Sequence, residues 1–461
     1  MKHKLYKIVT MSGLSPTKKI AISFFVVIFI GACLLTLPIA NQPGTSITFI
    51  DALFTATSAV CVTGLVVYFP AVQLTVFGQV VLMLLIQIGG LGLMTLVATI
   101  HLGLKNRLSV QNKVAMREAL GQKQVVNYKA YLFRIVKYTF SFELVGALLL
   151  AFVFVPEQGI VRGLFWSIFT AISAFCNAGF DLVGTVNLAP YVSQPLVNLV
   201  VMGLIISGGL GFIVYFDVRD KMHLLTKQHI PFKQFIKRLN LQTKLVFIMT
   251  IILIFVPALF IFINEYNNPN TLGALSFDGK ISASLFNSVT LRTAGFSTID
   301  YTKIYEPTAF MMIVTMFIGG SPGGTAGGIK TTTFAVIAIF VIRSLRGHTK
   351  TSVFHRTLSL QTVASALNVF TLNFLFLFTG IMILSSATDF SLLAIMFEAV
   401  SAMATVGLSL GITASLPILG KLIIITLMYV GRIGIITFLS SIIREDKHKD
   451  IEYAEGRLMI G

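Results

Sequence analysis

Four short segments of the chain share residues whose types and spacing could hold a bare cation. They read FTATSAVCVTGL, FTAISAFCNAGF, FNSVTLRTAGFS and FEAVSAMATVGLS, and their shared glycines are Gly64, Gly179, Gly295 and Gly407, separated by 115, 116 and 112 residues. Each segment is helix-like and then passes into an extended glycine-bearing loop. Four such loops set around one axis could replace the hydration shell of a monovalent cation with backbone carbonyl oxygens. Glycine suits the key position because it accepts backbone angles that turn a carbonyl inward. For one loop, a glycine that merely allows tight packing explains as much. Four in register make that reading inadequate.

A second stretch is denser in glycine. Gly319, Gly320, Ser321, Pro322, Gly323, Gly324, Thr325, Ala326, Gly327 and Gly328 lie between the apolar runs MMIVTMFI and TTTFAVIAIF. Gly323, Gly328, Lys330 and Thr331 nearly spell the phosphate-cradling GxxxxGK[ST] loop, but Ile329 breaks the spacing and no strand precedes it. Glycine this dense does not sustain a helix. Non-helical backbone at membrane depth is tolerated only inside protein or beside a water-filled cavity, so the stretch is expected inside the pore as a flexible gate directly below the four loops.

Four charges inside apolar runs complete the candidates. Arg432, in MYVGRIGII, is expected to face a cavity. Arg292 and Glu398 are expected to pair behind the loops and brace them, and Glu143 reads as a buried structural partner. The seven histidines form no HExxH or Cys/His pattern, and Cys33, Cys61 and Cys176 sit in apolar segments as small hydrophobes, so neither a metal site nor a disulfide framework is expected. No nucleophile stands with a base, so no enzyme is indicated.

These residues need a scaffold, and composition states which kind. The 461-residue chain is 55% hydrophobic and only 11% charged, with a mean hydropathy of +0.87, which marks a polytopic membrane protein. Ile30 to Cys33 loosely resembles a lipoprotein cleavage site, yet the apolar run continues to Pro38, so residues 1–38 read as mature sequence. A first span is expected near Ile20–Leu37, with counterparts near Phe133–Val155, Thr243–Asn264 and Leu358–Ser385. The short segments fall below the ~20 residues a crossing needs and read as re-entrant half-helices. Second spans are expected near Leu74–Leu104, Leu196–Phe216, Phe310–Arg343 and Leu416–Ile443, the third divided by the glycine-rich stretch into two shorter helical pieces.

The resulting fold is an all-α polytopic membrane protein of four parallel M1-P-M2 repeats, with eight transmembrane helices and four re-entrant pore helices around a central pore. Its expected segments are a cytoplasmic N-terminus (1–18), repeat 1 (19–104), a connector (105–132), repeat 2 (133–217), a connector (218–242), repeat 3 (243–343) with the loop 319–328, a connector (344–357), repeat 4 (358–443) and a cytoplasmic C-terminus (444–461). Net charge is +17. Lys105–Lys137 carries eight basic residues against Glu118, and Arg219–Lys244 seven against Asp220, whereas the opposite loops hold Asp51, Glu157, Asp181, Glu265, Asp278, Asp300, Glu306 and Asp389. By the positive-inside rule the connectors and both termini are cytoplasmic. The basic charge is then topology rather than nucleic-acid binding, and the connectors are expected against anionic lipid headgroups and an acidic partner surface.

The four segments, with RTAGF at Arg292–Phe296, TVGLS at Thr405–Ser409 and GGSPGGTAGGIKTTT, resemble the membrane subunits of Ktr-type potassium uptake systems in the Ktr/Trk/HKT superfamily, over about residues 17–443. The resemblance implies potassium uptake across the plasma membrane, a homodimer with one pore per protomer, and a cytosolic ring of nucleotide-binding (RCK-type) regulatory subunits. It places the filter at Val62, Thr63 and Gly64, at Asn177, Ala178 and Gly179, at Thr293, Ala294 and Gly295, and at Thr405, Val406 and Gly407. It also makes Arg432 a cation-repelling gate residue below that filter. A serine at the first glycine is associated with sodium-preferring relatives, so Gly64 favours potassium. No covalent cofactor is implied, and sodium stands as a candidate activator or coupling ion. A sodium-permeable or sodium-coupled cation transporter of the same superfamily is the alternative reading. A secondary transporter of an organic solute would require broken helices with polar binding side chains.

Overall fold

In a computed structural model of the chain, residues 15–92 and 128–442 are described. The N-terminal lysines Lys2, Lys4 and Lys7, most of the first basic connector, and the segment 444–461 lie outside the described residues, as do His3, His101 and His448. One order recurs four times along the described chain: a long helix, a short helix, an extended turn and a second helix. The long helices are α1 (Pro16–Leu35), α4 (Tyr128–Gln158), α9 (Leu241–Glu265) and α13 (Leu360–Ala387). The short ones are α2 (Phe49–Val60), α5 (Ile160–Phe175), α10 (Phe277–Thr290) and α14 (Leu392–Met403), and the second helices are α3 (Val76–Leu91), α6 (Pro195–Leu210), α11 (Glu306–Phe317) and α15 (Ile418–Ile433). Between them lie α7 (Phe212–Thr226), α8 (Phe232–Arg238), α12 (Thr331–Leu345), a two-stranded hairpin of β1 (Ser352–Val353) and β2 (Arg356–Thr357), and α16 (Ile435–Ile442).

The four long helices are each apolar and long enough to cross a membrane alone. Two more crossings qualify only as bent pairs, α6 with α7 at 90° and α15 with α16 at 102°. The second spans of the second and fourth units are thus sharply bent. The chain turns at Gly211 (φ 89°) and Gly434 (φ 92°), and α3 stops before Gly92 (φ 78°). In the third unit, residues 318–330 separate α11 from α12. Hydropathy is blind to these breaks because the sequence stays apolar across them, whereas a left-handed glycine lets the chain leave the helix axis.

Local chemistry starts the short helices. Thr48 accepts from the Asp51 amide (3.2 Å) and donates to the Asp51 carboxylate (2.7 Å) at the head of α2, while Ser276 and Ser391 cap α10 and α14. Such caps contribute roughly 1 kcal/mol each. Glycine fixes where three of these helices end. Gly89 on α3, Gly208 on α6 and Gly431 on α15 lie directly against the carbonyls of Val60, Phe175 and Met403, the last residues of α2, α5 and α14, and a Cβ on any of them would collide with that backbone. Lys421 on α15 pairs with Asp51 on α2 (2.7 Å), which ties the fourth unit to the first.

Gly203 and Gly208 share helix α6, but a Cβ at Gly203 meets nothing within 4 Å. Gly208→Ala should therefore destabilise the protein by on the order of 1–3 kcal/mol through overpacking, while Gly203→Ala should be neutral or mildly stabilising. Thermal unfolding of the two purified variants checks this, and equal midpoints would refute the packing argument.

Candidate cation pathway

The four extended turns share one backbone conformation. Val62, Asn177, Thr293 and Thr405 are left-handed (φ 50°, 58°, 63° and 53°), as are the glycines two residues later, Gly64, Gly179, Gly295 and Gly407 (φ 95°, 73°, 79° and 92°). Three of those four non-glycine residues are β-branched, the type least suited to positive φ. A conformation this costly, held four times, must be imposed by its surroundings.

The glycines explain how the turns meet. A Cβ on Gly64 would stand 2.6 Å from the carbonyl oxygen of Ala178, on Gly179 2.8 Å from that of Ala294, and on Gly295 2.6 Å from that of Val406. On Gly407 it would collide with the carbonyl of Thr63. Each loop thus touches the next in chain order, and the fourth returns to the first. The result is a closed ring with the carbonyls of Thr63, Ala178, Ala294 and Val406 at its joints.

Amides are held by the short helices. Thr63, Ala178 and Val406 donate their N–H to the carbonyls of Ser58, Ser173 and Ser401 at 2.7–2.8 Å, and Ala294 to Thr290 at 2.9 Å. Gly64 and Gly407 donate to the hydroxyls of Ser58 and Ser401, both at 3.0 Å. Reading the segments singly missed these serines. A serine six residues before the glycine in three of the four copies was the available signal. The hydroxyls of Thr63 and Thr405 are buried without a hydrogen-bond partner among the described residues, which suits a site that receives a partially desolvated cation.

Two cavities flank the ring. One of about 470 Å³ is bounded by all four glycines together with Asp181 and Asp300. The other, about 320 Å³, is bounded by the glycine-rich stretch, Lys330 and Arg432. The stretch lies against the ring on that second side: Thr325 donates its hydroxyl to the Phe175 carbonyl (3.0 Å), and the Gly327 amide donates to the Thr293 hydroxyl (3.1 Å). It is ordered rather than loose, with Ser321 and Thr325 amides donating to Gly209 and Gly208 carbonyls, and Gly319 and Gly320 amides to Ile329 and Gly327 carbonyls. The Arg432 guanidinium donates to the carbonyls of Thr325 and Gly89, which links α15, the stretch and α3. Lys330 donates to the Ala326 carbonyl (2.8 Å) and adds a second cation beside Arg432. As a charge in its own right it escaped the sequence reading, although a lysine following glycine-rich backbone at membrane depth was visible there.

Arg292 and Glu398 are not brought together, which corrects the expected ion pair. Glu398 accepts from the hydroxyls of Ser409 (2.7 Å) and Thr413 (2.5 Å), beyond the fourth glycine. Arg292 lies past the end of α10, fully enclosed, with Nε and Nη2 lacking partners among the described residues and Nη2 directed toward Gly209. Ser409 and Thr413 border the cavity that holds the four glycines, whereas Arg292 reaches toward the end of α6. Glu143 accepts from Gln87 (3.0 Å) and lies beside the Cys176 thiol.

The family model described as TrkH, cation transport protein, matches residues 2–450. The chain belongs to the TrkH family of cation transport proteins. Among TrkH relatives, the Ktr system potassium uptake protein B of Bacillus subtilis (strain 168) is 42% identical, the alignment covering 99% of each chain. The potassium/sodium uptake protein NtpJ of Enterococcus hirae is 37% identical over 97% of this chain and 98% of its own. The crystal structure of the potassium transporter TrkH from Vibrio parahaemolyticus superposes with a TM-score of 0.69 over 90% of this chain and 84% of that one, at 19% identity, and so shares the fold. This TrkH-family chain is a multi-pass membrane protein of a transporter class rather than an enzyme class.

Asp181 stands in the loop beyond the second glycine, outside the spanning helices. Burial pushes its carboxyl up to about 6, against the lowering effect of the Val183 and Gly184 amides. Asp300 at the same mouth is held below the usual carboxylate range, because its bonds to Thr302 and Lys303 outweigh burial. A raised carboxyl pKa means that charge is present at neutral pH and lost on acidification through 6. Cation flux should therefore fall as the pH on that side drops from about 7.5 to about 5.5. Asp181→Asn should flatten the profile in a liposome flux assay, and an unchanged profile would exclude Asp181 as its origin.

Proposed function

We propose that the chain takes up potassium across the plasma membrane through the ring of four loops. The closed glycine-to-carbonyl ring supports this reading, since it brings backbone carbonyls of four chain segments close together. The names of the Bacillus and Enterococcus relatives point to the same ion. In this reading the four units are parallel M1-P-M2 repeats with eight crossings, and the basic connectors place both termini in the cytoplasm. The acidic mouth then faces outward.

Potassium gathers at Asp181 and Asp300 and exchanges water for the carbonyls of the filter triplets ending at Gly64, Gly179, Gly295 and Gly407. The carboxyl ends of α2, α5, α10 and α14 direct the negative ends of their dipoles toward the ion beyond the ring. Gly319–Gly328 closes the inner side, and Arg432 and Lys330 repel the cation there. Opening requires Arg432 to release Thr325 and Gly89. Because α12 leaves the gate directly, a cytosolic nucleotide-binding ring docked on a homodimer could move the loop by displacing that helix.

Sodium permeation is the second reading. The triplets differ, Val-Thr-Gly, Asn-Ala-Gly, Thr-Ala-Gly and Thr-Val-Gly, so the ring is less symmetric than four identical chains would make it, and one relative is named for both ions.

Restored growth of a potassium-uptake-deficient bacterium on limiting potassium, with the regulatory partner supplied, tests the function itself. Gly64→Ser puts a side chain against the Ala178 carbonyl and should reduce the potassium-over-sodium preference about tenfold, or ~1.4 kcal/mol, in competitive proteoliposome flux. A preference that does not move would sink the filter assignment. Arg432→Gln should raise potassium flux several-fold in the absence of the partner; unaltered flux would rule out the gate.

A further inference from the structure

The end of α8, the start of α9 and the turn of the β1–β2 hairpin border an open cavity of about 500 Å³. Its lining is basic: Lys237, Arg238 and Lys244 on one wall, His355 and Arg356 on the other. Among the described residues, no acidic side chain lines it. Asp217 lies behind that first wall and is already saturated, accepting from Lys221 (2.6 Å), the Thr243 hydroxyl (2.6 Å) and the Asn240 amide (2.9 Å). Among the described residues, Lys237, Arg238 and Arg356 form no ion pair. Converging like charges repel one another unless an anion sits between them.

The hairpin turn points the same way. Its two central residues, Phe354 (φ 50°) and His355 (φ 60°), are both left-handed, in a turn class that normally takes Asn-Gly. Bulky residues there cost on the order of 1–3 kcal/mol each. That strained turn sets Phe354 5.8 Å from the Lys244 ammonium, and Lys244 also donates to the Lys237 carbonyl (2.6 Å). The cavity wall is therefore ordered before any ligand arrives.

Depth selects the ligand. Helix α9, the most apolar candidate span, begins at Leu241 on the cavity's own rim. Next to it, α8 exposes Phe232 and Ile236 while burying Phe235, the pattern of a short helix lying in a membrane interface. A basic cavity at the boundary between hydrocarbon and water is at the level of lipid phosphates.

We propose that this cavity binds the phosphodiester of an anionic phospholipid. The headgroup bridges Lys237, Arg238 and Lys244 to His355 and Arg356, joining α9 to the hairpin that follows α12. Leu245, Met249 and Leu253 of α9 already pack with Ile318 and Ala335, on either side of the glycine-rich loop. The bound lipid thus fastens both flanks of that loop to one long helix. This consequence for gating rests on the proposed pathway, whereas the binding itself does not.

Native mass spectrometry of the purified full chain, after exposure to phosphatidylglycerol or phosphatidylcholine, provides the test. The wild type should retain phosphatidylglycerol about tenfold better, and Lys237→Gln/Arg238→Gln/Arg356→Gln should abolish that preference. The charge-matched control Lys227→Gln/Lys233→Gln/Arg346→Gln, outside the cavity, should keep it, as should Arg238→Lys/Arg356→Lys, which separates charge loss from misfolding. Millimolar inorganic phosphate should not displace the lipid. Undiminished preference in the cavity variant, equal loss in the control, or displacement by inorganic phosphate would overturn the assignment. Because the readout is lipid retention, its failure would leave the potassium reading untouched.

Discussion

The contact on which the structure depends is a backbone approach: a glycine Cα of each loop against a carbonyl of the next, four times around. A Cβ at any of the four would press on the neighbouring backbone, so it is glycine that lets the loops approach this closely. The approach also brings four carbonyls close to one another, which adds to its cost. Much of the surrounding fold can be understood as holding this unfavourable geometry. Serine hydroxyls at positions 58 and 401 take the glycine amides, and glycines on three second helices allow those helices to press against the carboxyl ends of the short ones.

Glycine plays a different part in the stretch 319–328. Its density first suggests freedom, yet most of these glycines are closely packed. A Cβ on Gly319 would meet the Gly327 carbonyl, on Gly320 the Ala326 side chain, on Gly324 the Gly208 carbonyl and on Gly327 the Thr405 hydroxyl. The segment is thin so that it fits beneath the ring, and it is stitched to α6 by backbone hydrogen bonds. Its mobility, where function requires it, must come from releasing those bonds together. Arg432 grips the stretch and α3 at once.

Breaks in the second helices give this arrangement its inner surface. At Gly211 and Gly434 the chain turns by 90° and 102°, so α7 and α16 leave the bundle sideways instead of continuing along the axis. The third unit replaces the turn with the glycine-rich loop. A shared depth of interruption opens the cavity beside Lys330 and Arg432, and continuous helices would have filled it.

By itself the sequence indicated a polytopic membrane fold and marked the four glycine loops and the glycine-rich stretch, because hydropathy, segment length and a repeated glycine register are local properties written in residue order. The pairing assigned to Arg292 and Glu398 failed for the complementary reason: nearness in a repeat diagram says nothing about which side of a loop a long side chain faces. Only the tertiary structure decided that Glu398 is satisfied by Ser409 and Thr413. It alone closed the ring from Gly407 back to Thr63, bent two second helices at single glycines, and gathered Lys237, Arg238, Lys244, His355 and Arg356 from separate segments into one cavity. Each of those outcomes depends on contacts between residues far apart in the chain, where direction and distance, rather than composition, set the energy.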